Sequence, residues 1–233
     1  ISHHNVQPVM DVYAALQDRD LGGVAGDVDR IVGELRGKLP RGSFLQVRGQ
    51  METMRESFRG LAGGIVLAVA LVYLVMVINF QSWLDPFIIL TALPGAFSGI
   101  VWSLYATQTT INVPSLMGAI MSIGVATANS ILLVTFANQR RAEGLPAGEA
   151  ALSAAATRLR PVLMTAGAMI LGMLPMSLGL GEGGEQNAPI GRAVIGGLLV
   201  ATLATLFFVP VVYAFFKSRA RFKPAEEDAE MLQ

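Results

Sequence analysis

Apolar residues are sparse before residue 58 and crowd the chain after it. Gly60 to Phe80 runs 21 residues without a charge, and Pro86 to Gln139 runs 54. Two more uncharged stretches follow, Pro161–Gly181 and Ala193–Phe216. Each meets the roughly 20 residues that a helix needs to cross a ~30 Å hydrocarbon core. The stretch after Pro86 is too long for one helix, and the polar, proline-bearing run Gln108–Pro114 divides it. The pattern predicts five membrane-spanning helices, at about 60–80, 86–107, 114–139, 161–180 and 191–216. Pro94, Pro175 and Pro210 fall in or near spans, where neighbouring helices re-satisfy the freed carbonyls.

The first 58 residues follow other periods. Pro8–Ala15 reads as a short strand. Val24, Val28, Ile31, Val32, Leu35 and Leu39 recur at helical spacing, with charges between them, until Pro40 and Gly42 stop the helix. Ser43–Gly49 reads as a second strand. The expectation is a small β-α-β unit, too small to bury a core of its own, ahead of an all-α membrane bundle. Met51–Gly60 continues as a polar helix into the first span.

One span has an unusual polar pattern. In Ser115–Arg141, the positions Ser115, Gly118, Ser122, Val125 and Asn129 share a helical face, and Thr127, Asn129 and Ser130 cluster at mid-depth. Such a face is either a close-packing seam or a set of interhelical hydrogen bonds; both place the helix inside its bundle. Gly95 and Gly99 form a GxxxG, and Gly197, Ala201 and Thr205 a further small-residue stripe.

Composition agrees. Hydrophobic residues make up 53% and charged residues 15%, which marks an integral membrane protein. A formal net charge of zero speaks against nucleic acid as a partner, and the lack of cysteine excludes disulfides and thiolate metal sites. The chain opens on Ile1 in what reads as the middle of a domain, so it is expected to be the C-terminal piece of a longer polypeptide.

Basic residues set the orientation. Arg140, Arg141, Arg158 and Arg160 lie between the third and fourth spans, and Lys217, Arg219, Arg221 and Lys223 follow the fifth; the loops Gln108–Pro114 and Leu180–Pro189 have none. By the positive-inside rule the Arg-rich loop and the tail are cytoplasmic, and the N-terminal segment is periplasmic. Ala147–Arg158 reads as an interfacial amphipathic helix, and residues 218–233 as a disordered tail. No Asp, Glu, Lys, Arg or His lies at mid-depth in any span, so this piece cannot run a proton relay alone. His3 and His4 are a neighbouring pair better read as a strand end than as a metal site, and no metal or cofactor is expected. Glu182, Glu185, Gln186 and Asn187 read as a tight polar turn.

The runs FRGLAGGIVLAVALVYLVMVINFQSWLDPFIILTALP, VPSLMGAIMSIGVATANSILLVTFANQRR and TRLRPVLMTAGAMILGMLPMSLGLGEGGEQNAPIGRAVIGGLL together resemble the last five transmembrane helices of resistance–nodulation–division (RND) efflux permeases of the hydrophobe/amphiphile branch. The resemblance makes residues 1–16 the docking-to-porter junction and 17–58 part of a periplasmic porter subdomain. It implies a homotrimeric inner-membrane antiporter exchanging protons for hydrophobic or amphiphilic compounds. Its partners would be the N-terminal half of the same permease, a periplasmic membrane-fusion adaptor, an outer-membrane channel and lipid. Drug-exporting relatives carry a Lys where this chain has Ala128; the neighbouring Asn129 is retained, and Arg158 and Thr165 match two further family positions. The resemblance thus assigns Asn129, Ser130, Arg158 and Thr165 to proton-relay support, and Gly95, Gly99, Gly118, Ser122, Gly197 and Ala201 would serve helix packing. On the residues alone, Arg158 is equally readable as a positive-inside anchor and Thr165 as a Thr bonded to its own helix. Two rival readings stand beside this one: an accessory subunit of the same superfamily assisting protein export, and a structural or channel subunit without coupling.

Overall fold

The computed structural model describes residues 2–4, 7–10, 12–13, 21–40, 43, 45–47, 49–180 and 184–219. Two compact units divide the chain, Ile1–Phe58 and Arg59–Gln233.

In the first unit, strands β1 (Ser2–His4) and β2 (Gln7–Val9) pair antiparallel, Ser2 opposite Val9 and His4 opposite Gln7. Helix α1 spans Leu21–Arg36 and closes in a turn, Lys38 N–H donating to the Leu35 carbonyl at 2.9 Å ahead of Pro40. Ala25 is buried, while Ile31 and Leu35 remain exposed. Arg55 pairs with Asp29 of α1. The expected β-α-β unit is not formed. Both strands precede α1 and satisfy each other, and Ser43 and residues 45–47 are not in a strand. A crossover needs a parallel partner beside its first strand. Here that strand pairs locally, and SFLQVRG, with adjacent Phe44 and Leu45, lacks the alternation that would define a buried face. Ala14 and Ala15, at the end of the predicted first strand, lie outside the described residues, as do residues 220–233 of the predicted tail.

The second unit is helical. Helix α2 (Gln50–Phe80) supplies its first span, followed by α3 (Leu84–Leu90), α4 (Leu93–Ala106), α5 (Val113–Ala142), α6 (Ala147–Ser177), α7 (Gly184–Leu203), a π-helical turn (Ala204–Phe208) and α8 (Val209–Arg219). Among the described residues, five helical segments are long and apolar enough to cross a membrane. The second is broken at Thr91–Ala92, where the Thr91 hydroxyl donates to the Ile88 carbonyl. Pro94 then falls in the first turn of α4, where a missing N–H costs nothing. The π-helical turn precedes Pro210, whose missing donor disrupts the regular ladder at that point.

Two expectations change. Ala147–Arg158 is not a separate interfacial helix but runs unbroken through Pro161 into the span. Its 31 residues are about 46 Å long at 1.5 Å per residue. Ala151 and Ala154 lock its first turns into a cluster with Leu133, Ala137 and Tyr213. The predicted polar turn also moves: Glu185, Gln186 and Asn187 belong to the exposed first turn of α7, and Glu182 lies outside the described residues.

The bundle is built around α7. α4, α5 and α6 all pack on it, and glycine allows each approach. A Cβ at Gly95 of α4 would stand 2.8 Å from Ala204 Cβ, and one at Gly99 would stand 2.7 Å from Val200 Cβ. At Gly118 of α5 it would meet the Ile190 carbonyl at 2.6 Å, and at Gly191 of α7 the Ser177 backbone nitrogen at 2.8 Å. Small residues bring backbones together where lipid offers no hydrophobic drive for association.

Candidate functional site

The polar residues of α5 sort into three roles. Ser115 is buried, but its hydroxyl serves the start of its own helix. Asn112 Oδ1 accepts from Ser115 N–H at 2.9 Å, and the Asn112 N–H donates to Ser115 Oγ at 2.9 Å. This reciprocal cap satisfies donors that a helix start leaves bare. Ser122 faces Gly197 of α7, buried and with no hydrogen-bond partner. Ser130 crosses to another element: its hydroxyl lies 3.1 Å from Thr205 Oγ1 in the π-helical turn, both fully buried.

The buried face of α5 runs through Ser115, Ala119, Ser122, Ala126, Ser130, Leu133 and Ala137. Val125 and Asn129, predicted on that face, fall on its margin and are half-buried. A 3.5-residue reading drifts by about 20° per heptad on a straight helix, which is enough to exchange Asn129 for Ser130. The Asn129 side chain makes no hydrogen bond among the described residues, and Ala128 beside it is exposed. Thr127 is buried.

On α6, Thr165 is exposed and its hydroxyl donates to the Val162 carbonyl of its own helix at 3.0 Å. Arg158 stacks its guanidinium over Phe136 of α5, Cζ 5.3 Å from the ring centroid, and its Nε is buried without a partner. Asn129 and Ser130 are thus neighbours on α5, Arg158 lies against α5 nearer its end, and no hydrogen bond among the described residues joins Thr165 to them. Gly95, Gly99, Gly118, Ser122, Gly197 and Ala201 all lie in the packed interior around α7; Gly95 is half-buried and the rest buried.

Sequence reasoning missed a buried polar network at one end of the bundle. Asp85 of α3 is 3% exposed; its Oδ1 lies 2.6 Å from Lys217 Nζ of α8, and its Oδ2 accepts from Asn138 Nδ2 of α5 at 3.0 Å. Tyr213 O–H donates to Asn138 Oδ1 at 2.6 Å, and Arg141 donates to the Lys217 carbonyl at 2.9 Å. Asp85 borders the longest uncharged run in the chain, a lone acid beside the basic loops, and that position was the available signal. A second unforeseen knot holds the opposite end. Arg192 donates through Nε to the Ser177 carbonyl at 3.0 Å, capping α6, and through Nη1 to Thr109 Oγ1 at 2.7 Å. An arginine at a helix C-terminus pairs with its bare carbonyls.

Five helical segments long enough to span a membrane, four of them packed together with polar knots at both ends and small residues in between, make this a multi-pass membrane protein. Residues 1–217 match the AcrB/AcrD/AcrF family, and the chain belongs to it, within the RND permeases. It is 40% identical over 191 residues to the swarming motility protein SwrC of Bacillus subtilis, covering 81% of this chain and 18% of that protein. To the multidrug resistance protein MdtC of Erwinia tasmaniensis it is 38% identical over 191 residues, 80% of this chain and 18% of the relative. The Escherichia coli MdtC (strain UTI89) is 33% identical over 214 residues, 91% of this chain and 21% of the relative. A crystal structure of a heavy metal efflux pump superposes with a TM-score of 0.72 at 30% identity, over 87% of this chain and 20% of that one. The chain therefore spans a small part of the length of the curated relatives it matches.

Proposed function

We propose that this chain is the C-terminal part of a proton-coupled RND permease that exports hydrophobic or amphiphilic compounds, and that α5 carries its share of the coupling. The observation that carries the reading is Asn129: half-buried, at the membrane midplane by length, with no hydrogen-bond partner among the described residues and beside the exposed Ala128. A polar group in that position is retained where it is used. Asn129 orients an acidic residue or a water supplied by the rest of the permease. Ser130 steadies the helix behind it, and Arg158 and Thr165 support the same path from α6. Ala128 stands where drug-exporting relatives have a Lys, so that cation is not part of the relay. The likeness to MdtC, a multidrug resistance protein, favours the efflux branch over an accessory subunit of protein export.

The accompanying topology places Arg140–Arg160 and the end of α8 in the cytoplasm and residues 1–58 in the periplasm. It sets the whole protein in the bacterial inner membrane as a homotrimer, working with an adaptor and an outer-membrane channel. The Asp85 network would hold the start of α3 to the ends of α5 and α8 at that cytoplasmic end. The test is substrate efflux from cells expressing the full-length permease at normal level. Asn129→Ala is expected to abolish export while the protein still assembles. Normal export by that variant overturns the coupling role of α5 and leaves it a packing helix.

A further inference from the structure

Three half-buried basic side chains in the bundle are satisfied by the protein itself. Lys217 has Asp85, Arg192 has a carbonyl and a hydroxyl, and Arg141 has the Lys217 carbonyl. Arg140 and Arg158 differ. Both guanidinium groups converge on one aromatic ring, with Cζ atoms 5.1 and 5.3 Å from the Phe136 centroid. Arg140 uses Nη1 on Glu143 at 2.9 Å, a pair that is largely exposed, and Arg158 has no carboxylate among the described residues. The Nε of each is buried with no acceptor. Two like charges thus share one ring, against a single carboxylate at the surface, and two buried donor edges stand open.

We infer that Arg140, Arg158 and Phe136 form a binding site for the phosphate of an anionic phospholipid, set between α5 and α6. The chemistry selects the ligand. A guanidinium offers a planar edge that grips an oxyanion, and a carboxylate satisfies one such edge, whereas the oxygens of a phosphate can satisfy two. An unfilled buried donor is costly, so a partner is expected where two occur together. The depth selects the source. Arg140 closes the uncharged run of α5 and Arg158 precedes that of α6, so both stand at headgroup level at the Arg-rich end. Leu132 and Leu159 are exposed on the same two helices and offer apolar surface to acyl chains. The inference goes beyond the coupling proposal and does not depend on it. Arg158 enters both, so the readout is lipid binding and not export.

The experiment uses full-length protein purified in neutral detergent and read by native mass spectrometry. Phosphatidylglycerol, phosphatidylcholine and inorganic phosphate are titrated separately. Wild type is expected to retain phosphatidylglycerol in preference to phosphatidylcholine, and Arg140→Gln with Arg158→Gln to bind it at least tenfold more weakly. Arg160→Gln removes an exposed arginine of the same helix with no ring contact and is expected to bind as wild type. Should the double Gln variant fail to fold, Arg140→Lys with Arg158→Lys keeps the charge but loses the edge, and binding weakened severalfold is expected. Equal retention of phosphatidylglycerol by wild type and a folded double variant overturns the site. So does occupancy by inorganic phosphate that excess phosphatidylglycerol does not displace, because the ligand is then a solute anion.

Discussion

α2 and α7 are both long, apolar and glycine-bearing, yet the protein uses them in opposite ways. Among its described side chains α2 buries only Met76, and Leu67, Leu71, Leu74, Val75 and Ile78 face outward. α7 buries ten residues, six of them Ala or Gly. The glycines show the same division. A Cβ at Gly63 or Gly64 of α2 meets nothing within 4 Å, whereas at Gly191, Gly196 or Gly197 of α7 it meets a neighbouring helix at once. Hydrophobicity puts a helix in the membrane; residue size decides whether another helix can lie against it. Large aliphatic side chains on α2 keep neighbours at lipid distance. The stripe of Gly and Ala on α7 lets α4, α5 and α6 approach to backbone contact.

The paths of the two helices meet at Asp85, and the largest expected effect lies there. Asp85 follows α2 and pairs with Lys217 at the end of α8, so it fixes both to one point. Asp85→Ala leaves a buried ammonium and the Asn138 amide without their acceptor. Breaking a buried pair by removing one partner costs about 3–5 kcal/mol; Lys217 keeps some solvent contact, with 15% of its side chain exposed, so the lower end is expected. Denaturation of the purified full-length protein in mixed micelles measures it. A loss no greater than that of an exposed surface variant would mean that the network does not hold the two helices together.

The next effect separates α7 from α2 directly. Gly196→Val drives a branched side chain into the α4 contact, where even a Cβ meets the Gly99 carbonyl at 2.5 Å. Overpacking of this kind costs about 1–3 kcal/mol. Gly64→Val in α2 enters open space and is expected to stay within about 0.5 kcal/mol of wild type. The same micelle denaturation compares them. Equal losses in the two variants would erase the distinction between a packing helix and a lipid-facing one.

How far the sequence is legible follows from what each signal encodes. Length and hydropathy locate the five spans, because crossing a bilayer depends on a helix's own composition. They do not reveal that α7 is the hub, since the small stripes of α4, α5 and α7 look alike until their partners are known. The β-α-β reading failed because a strand's partner is a tertiary fact, and β2, at the start of the predicted first strand, took the nearest one. On α5, helical spacing gave the right side but not its centre, so Asn129 stood in for Ser130. The Asp85 network was invisible to a search for charge at mid-depth because it joins residues 132 positions apart at one end of the bundle. Ala128 and Asn129 were readable as a pair, and the structure adds that Ala128 is exposed and that the Asn129 side chain makes no hydrogen bond among the described residues.

The smallest effect tests what fixes α5 against the segment leaving α7. Ser130 and Thr205 are both fully buried and share one hydrogen bond of 3.1 Å, formed where the helix passes through its π-helical turn. Thr205→Val keeps the shape and removes the hydroxyl, and Ser130→Ala does the same on α5. Interhelical hydrogen bonds in membrane proteins average about 0.6 kcal/mol and reach about 1.7 in double-mutant cycles, because freed groups find other partners. The coupling here is expected near the average, since either hydroxyl can turn back to a carbonyl of its own helix. The cycle, measured by micelle denaturation of the two single variants and the double variant, isolates the pair from the packing each residue also contributes. Thr205→Val crossed with Asn79→Ala on the exposed side of α2 is the control and is expected to be additive. Additivity between Ser130 and Thr205 as well would mean that packing alone holds α5 against the α7 path, leaving the two helices of the comparison different in the size of their residues and in nothing else.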